Sequence, residues 1–174
     1  MFFLLGGIFM VLGVMFYQDL KFRAIYWWLF PLLFVFLFTY SARTAGWLAV
    51  LDFAAWNSLF VLFQVILLTA YISLRSRKFT NIFSGYFGLG DLLFLICIAG
   101  SFSLLNFVCF YVVSLLISIM IMLFVHWFSR SNQQKIPLAG YQALLLIAVL
   151  LFDALQSDWN MLSVVSVEDF CWGG

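Results

Sequence analysis

Charge is scarce in this chain: charged residues make up 9% of the 174 positions, against 67% hydrophobic and 21% aromatic. A soluble domain cannot hide that much apolar surface, because its exterior needs polar cover. The composition therefore predicts an integral membrane protein, one compact bundle without a separate soluble domain. Cysteine is sparse too. Cys97, Cys109 and Cys171 stand alone with no C-x-x-C spacing, which excludes a cysteine-ligated zinc module. Cys97 and Cys109 lie in apolar runs and read as small hydrophobes. The single histidine, His126, adjoins Trp127 and reads as an interfacial residue. With no His/Glu cluster beside it, neither a metal site nor a Ser/His triad is expected. Neither G-x-G-x-x-G nor G-x-x-x-x-G-K-[ST] occurs, so a nucleotide-binding loop is not expected. The first apolar stretch, Met1 to Gln18, lacks a basic n-region, and bulky Phe16-Tyr17 stands where a small-x-small cleavage site would be. It reads as a retained first helix.

What is present is a series of hydrophobic runs separated by polar punctuation. They predict six spans, at about 2–18, 25–40, 46–74, 91–105, 107–128 and 137–152, with an interfacial turn around Asp52 to Asn57 in the third. Basic residues orient them. Lys21 and Arg23 follow span 1; Arg75, Arg77 and Lys78 follow span 3; Arg130 and Lys135 follow span 5. If the spans alternate, these seven of the eight Lys and Arg share one side, and only Arg43 falls on the other. The positive-inside rule makes the basic side cytoplasmic and sends both termini out. Residues 1–152 then form the transmembrane core, and 153–174 a short outer tail. That tail carries Asp153, Asp158, Glu168 and Asp169, with Trp159 and Trp172 as interfacial anchors.

Two polar clusters interrupt the oily sequence, and each carries one aspartate: Gln18-Asp19-Leu20-Lys21-Phe22-Arg23 and Gly88-Leu89-Gly90-Asp91. The expected orientation puts both acids at the cytoplasmic boundary, away from the midplane where a coupled transporter keeps its essential acid. Alone, Asp19 reads as a solvated helix flank and Asp91 as a helix N-cap. Gly88 and Gly90 go beyond what capping requires, and allow positive φ and close approach of another backbone. As a pair the acids are more specific. Two carboxylates at a low-dielectric boundary cannot both ionise cheaply, so one holds a proton. The ionised partner can then deprotonate a water while the other donates to a scissile carbonyl.

At these residues the chain resembles the type IV prepilin peptidases, membrane aspartic proteases with a G-x-G-D motif. The first family motif reads Asp19-Leu20-Lys21-Phe22-Arg23-Ala24-Ile25 and the second Gly88-Leu89-Gly90-Asp91. Lys135-Ile136-Pro137-Leu138-Ala139-Gly140 is similar to the segment that opens the family's last core helix. Departures are Tyr26-Trp27 for the common Pro-Asn, Leu92-Leu93 for Val-Lys, and Tyr141-Gln142 for Pro-Phe. The cytoplasmic insertion of the larger, methylating members has no counterpart, so the minimal peptidase-only form is the one resembled.

The resemblance implies a polytopic all-α bundle of the inner (cytoplasmic) membrane that needs no cofactor. Asp19 and Asp91 would share the acid and base roles, Gly88 and Gly90 would shape the substrate loop, and Lys21 and Arg23 would give electrostatic support. The substrate would be a prepilin or pseudopilin precursor whose short leader is cut at the cytoplasmic face. Beyond the lipid bilayer, the partner would be the pilus or secretion machinery, with no nucleic acid. Two other readings stay open. The first is a presenilin- or signal-peptide-peptidase-like protease, which Gly88-Leu89-Gly90-Asp91 and Pro137-Leu138-Ala139 fit, although Gln18 stands where that group has tyrosine. The second is a non-catalytic scaffold or transporter, for which Asn57 and Gln64 are the modest polar candidates and interhelical hydrogen bonding the simpler explanation.

Overall fold

The computed structural model describes residues 2–76, 88–128 and 138–155. Within them the chain forms six helices and no strand: α1 Phe2–Phe22, α2 Leu29–Thr44, α3 Trp47–Ser76, α4 Leu89–Ile98, α5 Leu104–Phe128 and α6 Leu138–Leu155. The all-α bundle expected from the apolar runs is present. Arg77, Lys78, Arg130, Lys135, Ile136, Pro137, Asp158, Trp159, Glu168, Asp169, Cys171 and Trp172 lie outside the described residues. Three stretches are long and apolar enough to cross a membrane, Phe3–Phe22, Trp47–Arg75 and Leu104–Ile121, which supports membrane association. The remaining apolar helices, Leu29–Thr44, Leu89–Ile98 and Ala139–Ala154, are shorter.

Two expectations about the spans need correcting. No turn interrupts the third run, because α3 continues through residues 52–57. Asp52 is exposed and Asn57 fully buried, so the two polar residues mark different faces of one helix. The fourth run is also shorter than expected: α4 has 10 residues, about 15 Å of helix, and a turn over 99–103 leads into α5. Asn57 holds that turn. Its amide donates to the carbonyls of Ala99 and Phe102, both at 2.7 Å, answering acceptors left open where α4 ends. Gly100 lets the turn approach α3, since a Cβ there would stand 3.3 Å from Val50 Cγ1. The Cys97 thiol donates to the Phe30 carbonyl at 3.2 Å and joins α4 to α2.

The core is an apolar cluster contributed by all six helices, with Ile8, Leu12 and Met15 of α1 packed among Leu33 and Leu37 of α2, Phe94 of α4, Phe107 of α5 and Leu146 of α6. On α1 the inward residues recur at intervals of four and three, the repeat of one helix face. Continued by four, that same stripe arrives at Asp19. The acid is thereby carried inward and is only 8% exposed. α1 packs against both α2 and α6, while α4 touches α2, α3 and α6.

Candidate functional site

The chain leaves α1 through a left-handed closure. Arg23 has φ +52, and its N–H donates back to the Asp19 carbonyl at 3.0 Å. This helix ending normally carries glycine, and the conformation costs another residue about 1 kcal/mol. The Tyr26 N–H donates to Gln18 Oε1 at 3.2 Å and folds the following segment onto the helix end. Asp19 is thus fixed by its own turn before its side chain meets anything else.

Asp91 reaches the same place from α4. Gly88 is the N-cap residue, in extended conformation at φ −73 and ψ 123, with no side-chain cap. The Gly88 carbonyl accepts from the N–H groups of Asp91 and Leu92 at 3.1 and 3.3 Å. Asp91 is therefore the third residue of its helix, and the N-cap reading of it is corrected. Neither Gly88 nor Gly90 has positive φ; among the described glycines only Gly46 does, at +89. What Gly88 supplies is space, because a Cβ there would stand 2.6 Å from Asp91 Oδ2.

The two carboxylates converge on the start of α6. The first N–H groups of a helix lack partners within it, and here two other helices provide acceptors. The Gly140 N–H donates to Asp19 Oδ2 at 2.6 Å. The Asp91 carboxylate accepts a backbone hydrogen bond from Ala139 and lies close enough to Asp19 to feel its charge. Successive backbone amides of one helix thus hold acids from α1 and α4, with the positive end of the α6 dipole turned toward both. A Cβ on Gly140 would lie 3.0 Å from Asp19 Oδ2 and 3.2 Å from Asp19 Cβ, so the contact depends on the bare backbone. All three sequence motifs, the third represented by Leu138-Ala139-Gly140, meet at this point. No family model, curated protein or solved structure matches the chain.

Not every expected participant is brought in. Lys21 is exposed, and its ammonium donates to the Tyr17 hydroxyl at 2.8 Å, standing 5.2 Å from the Tyr17 ring centre and 5.3 Å from that of Phe22. Arg23 is exposed at the helix end. Gly90 makes an ordinary contact, with Phe30 Cζ 3.9 Å from where its Cβ would be. His126 belongs to the last turns of α5.

A further set of polar residues links α5 and α6, and of these only Gln142 stood out in the sequence, as a departure from the third motif. Gln142, one turn into α6, is fully buried; its amide lies 3.5 Å from Ser114 Oγ on α5, and its Oε1 has no partner among the described residues. The Ser114 hydroxyl donates to the Tyr111 carbonyl at 2.8 Å, and Ser118 donates to the Ser114 carbonyl at 2.7 Å. Tyr111 is near enough to Asp91 to feel its charge. The intervals of three and four among Tyr111, Ser114 and Ser118 mark one face of α5. They stand out only once α6 is seen to bring Gln142 to Ser114.

Proposed function

We propose that the chain is a membrane-embedded aspartic endopeptidase that removes a short cytoplasmic leader from prepilin-like precursors. The reading is carried by one observation: Asp19 and Asp91 are neighbours on successive N–H groups of α6. With one acid ionised and the other protonated, the pair has both halves of general acid–base catalysis. The ionised carboxylate takes a proton from water as that water attacks the scissile carbonyl, and the protonated one donates to the carbonyl oxygen. A proton returned to the amine lets the C–N bond break. Protons move between the two acids as a pair, so neither is assigned a fixed starting state. In the orientation set by the basic loops, the dyad faces the cytoplasm of an inner-membrane protein and meets the leader where it leaves the bilayer.

The same hydrogen bonds favour one rival, in which the aspartates serve only as acceptors for the open end of α6. Asparagine separates the two readings, since its carbonyl oxygen still accepts from an N–H but cannot exchange a proton. Wild type, Asp19→Asn and Asp91→Asn are co-expressed with a pilin-like precursor from the same genome, and leader removal is followed by mass spectrometry at matched membrane levels. Loss of cleavage by at least about 1,000-fold in both variants, with unchanged thermal stability in detergent, is the expected result. Cleavage persisting in either variant removes that acid from the mechanism.

A further inference from the structure

Beside the dyad, a cleft of about 390 Å³ opens between α3, α4 and α5, walled by Phe60, Val61, Leu67, Leu68 and Leu95 with Gln64 and Tyr111 as its polar members. Its wall comes near Asp91, because Leu95 lies one helical turn beyond that acid on the same face of α4. The Tyr111 ring stands edge-on to Phe60, centroids 6.1 Å apart at 83°, and lines the cleft. Gln64 is half-buried, and neither its amide nor the Tyr111 hydroxyl has a hydrogen-bond partner among the described residues.

The chemistry of the lining discriminates between occupants. Gln64 lies 12 residues from Ser76 at the end of α3, about 18 Å along the helix, and 17 from Trp47 at its start. In a helix that crosses a membrane, that is hydrocarbon depth, where an unpaired amide is costly. A lipid acyl chain would fill the apolar walls but leave Gln64 and Tyr111 unpaired. A peptide answers both, since a glutamine amide offers one donor side and one acceptor side to a peptide group.

We infer that this cleft seats the apolar segment following the scissile bond of the substrate, with the Tyr111 hydroxyl and the Gln64 amide hydrogen-bonding its backbone. The proposal rests on the endopeptidase reading for the identity of that peptide. It makes the cleft the specificity element of the site. The segment enters beside Asp91, runs along Leu95 and is locally unwound at Gln64, because a continuous helix has no free peptide group to offer.

A photoreactive benzoylphenylalanine at Leu67, a lining position 53% exposed, tests occupancy in the full chain, in membranes, with Asp91→Asn introduced to prevent turnover. The probe partner is a pilin-like precursor from the same genome. Crosslinking to its apolar segment is expected. Crosslinking to phospholipid alone overturns the cleft assignment and leaves the dyad reading standing if wild type cleaves. Crosslinking to the precursor without cleavage by wild type supports the cleft and removes the dyad reading. In the cleaving enzyme, Gln64→Leu and Tyr111→Phe are each expected to raise KM about tenfold, the loss of one hydrogen bond, with kcat within twofold for Gln64→Leu. An unchanged KM in both variants overturns the hydrogen-bonding role.

Discussion

A single methyl group is the finest available probe of the dyad. Alanine at Gly88 sets a Cβ 2.6 Å from Asp91 Oδ2, and at Gly140 a Cβ 3.0 Å from Asp19 Oδ2. Each carboxylate must give way, and displacement of a reacting group by even an ångström costs heavily in rate. At Gly90 the nearest atom, Phe30 Cζ, is at an ordinary 3.9 Å. Gly88→Ala and Gly140→Ala are expected to lower leader cleavage at least about tenfold, while Gly90→Ala stays within about twofold. Equal sensitivity of all three would remove the steric argument. The Gly-x-Gly-Asp pattern was visible in the sequence, but the division of labour between its glycines was not. It depends on where α6 arrives, and Asp19 meets Gly140 across 121 positions of chain. Spacing carries no such information.

Among whole elements, the turn between α4 and α5 depends on Asn57. Leucine there keeps the volume but leaves the Ala99 and Phe102 carbonyls without their 2.7 Å donors in apolar surroundings. Asn57→Leu is expected to cost about 1–3 kcal/mol, read as a lower thermal midpoint in detergent. The cleavage rate per folded molecule should hold, because Asn57 does not touch the acids. A loss of rate without loss of stability would assign it a different role. Interhelical hydrogen bonding is the simpler sequence reading of Asn57 and Gln64; Asn57 instead bonds the turn after α4, and Gln64 has no partner among the described residues. The helices themselves were legible as apolar runs. Their inward faces were not, because sides with and without a neighbour are equally oily. Ile8, Leu12 and Met15 are no more hydrophobic than the exposed Phe3, Met10 and Val14. Only a polar residue on the stripe, Asp19, betrays which way α1 turns.

For the molecule as a whole, the distribution of Lys and Arg is the orienting signal. Lys21, Arg23, Arg75, Arg77, Lys78, Arg130 and Lys135 follow alternate apolar runs, and would share the side opposite Arg43 if the runs alternate across a membrane. A phosphatase fused after Gly174 is therefore expected to be active outside the cytoplasm, and a fluorescent protein at the same junction to stay dark. The opposite pattern would turn the dyad away from a cytoplasmic leader and end the endopeptidase proposal in its present form. The perimeter of the bundle has a consequence of its own. α3 has 30 residues and α4 has 10, so helices of about 45 and 15 Å stand side by side. In a bilayer, neighbours of such unequal length predict local thinning beside the shorter one. A thicker bilayer is then expected to fit the protein less well on the α4 side than on the α3 side.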